Sequence, residues 1–301
     1  MYTKHVIILL LKPVEINIMD IAQTITDRII SELEQGTAPW VKPWHEDCES
    51  YNPVSGTVYR GMNQLWLSMM GMGRSNAWLT FKQASDAGLS VKKGSKGVPI
   101  IFWKQLSINK KDDAGNDVNA TIPMLKHYFV FNADDIEGAT FSKGSGKLQG
   151  SIDSRVQAVV DRLALDGGVQ KASSAFYQAS KDCIGMPELS SFRSLADYHA
   201  TLLHECVHAT GAKSRLDRQL MNRFGSEAYA FEELIAELGA AMLCMKTGID
   251  GQLQHASYID SWLKVLKQDK NAIIKAASKA QAAMDYLIDT KVSEEQMPLA
   301  A

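Results

Sequence analysis

Long apolar runs are scarce in this 301-residue chain, and a helix that crosses a bilayer needs about 20 predominantly apolar residues in a row. The first apolar run, Val6 to Leu11, is six residues. That is shorter than a signal-peptide core, and no small-residue cleavage site follows before Pro13. An edge strand, or an extension ahead of a second start at Met19, accounts for it, so residues 1–19 are set apart as an N-terminal extension without assigned function. Cysteine is sparse as well. Cys48, Cys183, Cys206 and Cys244 make no C-x-x-C pair and no small-domain framework, which suits a reducing cytoplasmic location. Neither sign of charge dominates: the formal net charge is −2, so any nucleic-acid surface has to be local. What is present, 46% hydrophobic and 22% charged residues, describes a globular protein with room for two domains.

Histidine is also rare, with 7 in the chain, yet two of them fall four apart in His204-Glu205-Cys206-Val207-His208. Residues at that spacing share one face of a helix. Two imidazoles can then reach one ion, with Glu205 beside them as general base. The flanks predict that helix: Ser194 as N-cap, Asp197 in place of a capping-box acid, an apolar face from Leu195, Leu202, Leu203, Cys206 and Val207, and Gly211 as the stop. A catalytic zinc takes three protein ligands and a water. Ser214 stands where one known continuation of the motif has its third histidine, and serine is a poor ligand. The next helix, Ala228 to Thr247, offers Glu232, Glu233 and Glu237. Glu233 is expected as the third ligand, with Glu232 as its substitute, and Glu237 as the partner of a histidine. One Zn2+, or another divalent metal in its place, is the expected cofactor. His255 and Tyr258 are candidate donors to an oxyanion. His199 reads as structural and Cys206 as a small apolar filler.

The first half differs in kind. Ile21, Ile25, Ile29 and Leu33 predict an amphipathic helix over Asp20 to Gln35. Two Pro-Trp pairs follow, and then short helices near Met62–Met70 and up to Gly88. Strands are expected over Val98–Leu106 and His127–Asn132, with Asn109 to Asn116 as the hairpin loop. Trp40, Trp44, Tyr51, Tyr59, Trp66, Trp78 and Trp103 are interleaved with Arg60, Arg74, Lys82, Lys92, Lys93 and Lys96. This set fits two readings: a stacking surface for single-stranded nucleic acid, or the core of a small domain under solvated lysines. The Ser- and Gly-rich stretch at 141–150 reads as a linker. Past it, a helix over Ile152–Leu165, short strands at Ala175–Gln178 and Cys183–Met186, and helices near Ser257–Gln268 and Ala272–Thr290 complete the second half. The fold class expected is α+β: a small α+β domain at 20–140, then a mainly helical domain with a small sheet at 151–301.

Taken in order, Pro39 to Trp44, Asn52 to Asn63, Trp78 to Gln83, Val91 to Gly97 and Phe131-Asn132 resemble the N-terminal domain of ArdC-type antirestriction proteins, which are related to the DNA-binding part of some plasmid primases. Asp182 to Pro187, the HECVHATG segment, Ser214-Arg215-Leu216 and Tyr229 to Glu237 resemble that family's zincin-like metallopeptidase domain. Cys206 and Ala209 depart mildly from its pattern, at packing positions. The resemblance implies non-specific single-stranded DNA binding by the first domain. Its expected contacts are Trp40, Trp44, Tyr59, Arg60, Asn63, Trp66, Trp78, Lys82, Lys92, Lys93 and Lys96. It also implies protection of incoming plasmid DNA from host restriction during conjugation, an unidentified protein substrate for the second domain, and no membrane partner. The alternative is a DNA-binding module whose metal site is structural or vestigial. A nuclease is disfavoured, because two-metal phosphodiester chemistry recruits clustered carboxylates.

Overall fold

A computed structural model of the chain describes residues 20–36, 38–41, 49–111, 117–141, 152–218, 220, 226–251 and 258–288. Helix α1, Ile21–Glu34, starts where the Asp20 side chain accepts the Gln23 N–H at 3.1 Å, and it buries Ile25, Ile29 and Leu33. Helix α2, Gly61–Met70, follows, and strand β1, Trp78–Thr80, leads into the short helix α3, Phe81–Asp86, through a capping box between Thr80 and Gln83. A two-residue strand β2, Ser90–Val91, precedes β3, Val98–Lys111, and β4, Asp117–Asn132. β4 pairs antiparallel with both β3 and β1, giving the order β1-β4-β3, and β2 pairs with β5, Ile136–Glu137.

Both hairpin arms run beyond the expected strands. Backbone pairing continues from Ser107 to Lys111 and from Asp117 to Lys126, through polar and apolar residues alike. Continuous ladder hydrogen bonding does not require apolar side chains.

In the second half, helix α4, Ile152–Leu163, precedes a small mixed sheet of β6, Gly168–Lys171, β7, Phe176–Gln178, and β8, Cys183–Met186. β8 is central, parallel to β6 and antiparallel to β7, which leaves β7 on the outside. β6 falls where no strand was expected, because none of its four residues is buried. Then come α5, Leu195–Thr210, α6, Glu227–Thr247, α7, Ile259–Gln268, and α8, Ala272–Ile288. The architecture is mixed helix and small sheets, as the α+β expectation has it.

The two halves share one apolar core. α1 packs on α7 and α2 on α8. Trp40 meets the edge of Trp262 with ring centroids 5.6 Å apart. Polar ties follow the same seam: Thr26 donates to the Lys270 carbonyl at 2.7 Å, and the Gly61 N–H donates to Gln281 Oε1 at 2.7 Å. Among the described residues no helix is long and apolar enough to cross a membrane.

Candidate metal centre

Helix α5 begins as its sequence predicts, with Ser194 accepting the Asp197 N–H at 3.0 Å. It lies close against α6, and Gly239 permits the approach: a Cβ there would sit 2.8 Å from Val207 Cγ2. Ser226 caps α6 by accepting the Tyr229 N–H, and Gly248 ends it at a left-handed φ of 76°. With the helices this close, carboxylates on α6 reach the imidazoles of α5.

His204 Nε2 and His208 Nε2 face each other at 3.1 Å. The Glu233 carboxylate lies between them, Oε2 at 3.6 Å from His204 Nε2 and Oε1 at 3.5 Å from His208 Nε2. A tetrahedral ion with bonds of about 2.0–2.1 Å has ligand–ligand edges of about 3.3–3.4 Å, so the three donors are spaced as its ligands would be. Tautomers point the same way. His208 Nδ1 is 3.4 Å from Glu232 Oε1, and His204 Nδ1 is 3.7 Å from Glu237 Oε1. Protons on the two Nδ1 atoms leave both Nε2 lone pairs directed at one point, an arrangement a cation satisfies. These residues therefore fit a divalent metal: His204, His208 and Glu233 as ligands, with Glu237 and Glu232 orienting the imidazoles from behind.

The surrounding carboxylates draw positive charge to the two imidazoles, a demand that protons meet where no ion is bound. Burial pushes the His208 imidazole down, but the Glu232 and Glu233 carboxylates outweigh it and raise it to about 10. His204 is likewise raised against burial by Glu233 and Glu237. Against the upward push of burial, hydrogen bonds from both imidazoles hold the Glu233 carboxyl well below the usual range. Glu205 has no such support. Burial lifts its carboxyl above the usual value, and the imidazoles and the Tyr177 N–H offset only part of that.

Glu232 is tied down from its other side. Arg218, itself buried, donates to it through Nε at 3.1 Å and Nη2 at 2.8 Å, and also to Thr210 Oγ1 and the Val207 carbonyl. Held in this way, Glu232 has its oxygens turned to Arg218 and to His208 Nδ1, on the far side of the ring from Nε2. Sequence reasoning missed Arg218, which lies in a loop without periodicity. It also passed over Tyr229 as a donor, although Tyr229 stands one helical turn before Glu233. The Tyr229 hydroxyl is 3.4 Å from that of Tyr258, which stacks on Trp262. Both phenols line an open cleft of about 730 Å3 together with His204, Glu205, His208 and Glu233. Burial raises both phenols above their ordinary value, so they stay protonated. His255 lies outside the described residues.

The expected DNA contacts fare differently. Trp40, Trp66 and Trp78 are 4%, 4% and 1% exposed, and Tyr59 is buried too. Their rings join α1, α2 and β1 to the shared core, so no base can stack on them. This corrects the expectation for these four residues. Asn63 is spent on the backbone of Ile101, donating to its carbonyl at 2.6 Å and accepting its N–H at 2.9 Å. Arg60 pairs with Asp285 on α8. Lys82, Lys92, Lys93 and Lys96 are exposed, and Lys92 Nζ donates to the Asp134 carbonyl. Trp44 lies outside the described residues.

Two imidazoles from one helix, a carboxylate from the next and a glutamate beside the first imidazole define a zincin-like centre. Comparison with known proteins agrees: a profile described as zincin-like metallopeptidase matches residues 155–279, and one described as the N-terminal domain of anti-restriction factor ArdC matches residues 19–131. The chain belongs to the ArdC-like antirestriction family. It is 36% identical to the protein y4eC of Sinorhizobium fredii, across 89% of this chain and 91% of that one. It is 35% identical to the DNA primase TraC of Escherichia coli, where 91% of this chain spans 28% of the primase. Two crystal structures of the antirestriction protein ArdC from the R388 plasmid are similar over nearly their whole length. The metal-free one has a TM-score of 0.74 at 40% identity, covering 90% of this chain and 97% of that one. The Mn(II)-bound one has a TM-score of 0.72 at 37% identity, covering 92% and 100%.

Proposed function

We propose that this antirestriction protein is a zinc-dependent peptidase whose first half binds single-stranded DNA, so that a protein near incoming plasmid DNA is its substrate in the cytoplasm. The observation that carries the peptidase reading is the convergence of His204, His208 and Glu233 with Glu205 beside them. Two imidazoles and a carboxylate are a usual catalytic set for zinc, and a Mn(II)-bound relative supports a divalent ion more broadly. When bound, such an ion supplies the charge that acidifies a water and polarises an acyl carbonyl.

The chain's own groups do the rest. Glu205 takes the proton at its carboxylate and returns it to the leaving amine, a task suited to a carboxyl lifted by burial. Glu232 and Glu237 keep the two imidazoles in the ligating tautomer. The protonated phenols of Tyr229 and Tyr258 donate to negative charge developing on the substrate oxygen. β7 borders the cleft and, among the described residues, is paired only through β8. An extended peptide can therefore add to it by main-chain hydrogen bonds.

The test is a peptide-library digestion by the zinc-loaded protein, with Glu205→Gln beside it. The variant should keep its metal and lose roughly 10^2- to 10^4-fold in cleavage. Cleavage that survives this change, or no cleavage by the zinc-loaded parent, overturns the peptidase reading. In that case the second reading holds, a DNA-binding protein whose ion only braces α5 against α6. It is favoured by the burial of Glu232, Glu233 and Glu237 in the contact between those helices.

A further inference from the structure

The tryptophans that made the first half look like a stacking surface are core, but Phe81 and Phe129 are not, and Phe131 is half-buried at the edge of the small cluster of Leu79, Ala84 and Ile136. Phe81 and Phe129 are 62% and 41% exposed, a costly state for two phenylalanines on one domain. On β4, His127, Phe129 and Phe131 alternate, so all three side chains leave the same face, about 6.8 Å apart per pair. His127 and Phe129 meet edge to face at 5.7 Å, and Phe131 meets Phe81 at 6.3 Å. The rings thus form one row, Phe81, Phe131, Phe129, His127, running from the start of α3 along β4.

Beside this row lies the turn between β2 and β3. Gly97 rests against the rings, since a Cβ there would be 3.0 Å from Phe129 Cβ and 3.2 Å from Phe131 Cζ. The backbone at Lys96 therefore borders the row, Lys93 stands three residues before it in the same turn, and Lys82 follows Phe81 directly. All three lysines are exposed, and none is paired with a carboxylate among the described residues. The acids across the turn are already engaged: Asp134 and Asp135 face Arg74.

We propose that Phe81, Phe131, Phe129 and His127 are the stacking platform for single-stranded DNA, with Lys82, Lys93 and Lys96 following its phosphates. This deepens the DNA-binding reading above and rests on it. A row of flat faces edged with unpaired cations matches a strand that has flat bases on one side and anionic phosphates on the other. An apolar peptide would use the rings and leave the lysines without a partner.

The test is fluorescence anisotropy of labelled oligo-dT and of an abasic strand of equal length, over a salt series, with the full chain. Phe81→Ala and Phe129→Ala should each weaken oligo-dT binding about 5- to 150-fold and leave abasic binding nearly unchanged. Lys93→Ala and Lys96→Ala should weaken both strands and lower the salt slope by about 0.7 each. No oligo-dT binding by the parent would sink the DNA reading itself. Binding by the parent that Phe81→Ala and Phe129→Ala both preserve would overturn the platform and leave that reading standing. Losses equal on the two strands would overturn stacking by these rings. Self-association abolished by Phe129→Ala, with oligo-dT affinity intact, would assign the row to a second copy of the chain.

Discussion

Glu232→Gln separates a ligand from an orienting group. The carboxylate accepts from Arg218 Nε and Nη2 and lies 3.4 Å from His208 Nδ1, on the side of the ring away from Nε2. Glutamine keeps the shape and removes the charge. Arg218, whose side chain is 6% exposed, then keeps only the Val207 carbonyl and Thr210 Oγ1 as strong acceptors. Breaking a buried pair costs about 3–5 kcal/mol, and the glutamine oxygen still accepts one bond, so about 3 kcal/mol of stability is expected to go. At the metal, losing the carboxylate behind a ligating imidazole costs about 10–100-fold in affinity, or about 1.4–2.8 kcal/mol. Glu233→Gln removes a ligand and should cost more.

Competition with a chromophoric zinc chelator measures affinity for both variants. Unfolding with and without excess zinc then gives the metal's contribution independently. Zinc binding lost as fully in Glu232→Gln as in Glu233→Gln would make Glu232 a ligand. Unchanged zinc affinity would refute the orienting role.

Three other outcomes follow from the geometry. Gly239→Ala gains about 1 kcal/mol in helix propensity, but its methyl meets Val207 at 2.8 Å and overpacking costs about 1–3 kcal/mol. A lower melting temperature and weaker zinc binding are expected; a more stable protein with full zinc affinity would contradict the close-approach argument. Asp182 pairs with the buried Arg215 at 2.7 Å, and that guanidinium holds its carboxyl down to about 2. Its contribution is therefore complete above about pH 4 and lost as pH falls through about 2, so Asp182→Asn should flatten the pH dependence of stability over that window. A steep dependence retained in the variant would assign the acid sensitivity elsewhere. Finally, a fragment ending at residue 141 would bare the faces where Ile29, Trp40, Met62 and Trp66 meet Leu238 and Ile273. Each large side chain exposed costs about 1.5–3 kcal/mol, so the fragment should fail to unfold cooperatively, and a sharp calorimetric transition would show that it folds alone.

The motif helix was legible because its signals are local: a cap, a four-residue spacing and a glycine stop, all within eighteen residues. The partition of the three acids on α6 was only half legible. Helical period puts Glu233 and Glu237 on one face and swings Glu232 about 100° away. Taken alone, that rotation makes Glu232 look like a spare ligand. Placed against α5, the same rotation lets one helix surround the histidine pair: Glu237 behind His204, Glu233 between the two Nε2 atoms, and Glu232 behind His208. Which acid takes which place depends on the register of two helices, and Gly239 and Val207 set that register by contact. Composition misled for the tryptophans for a related reason. At Trp40 a proline-broken segment has no period to reveal an inward face, and at Trp66 and Trp78 as well as there, rings suited to stacking on bases are equally suited to filling the core. Alternation along β4 puts Phe129 and Phe131 on one face, opposite the core residue Val130, and that much could have been read before any tertiary contact was known; that Phe129 stands exposed there while Phe131 packs beside Leu79 on the smaller core could not.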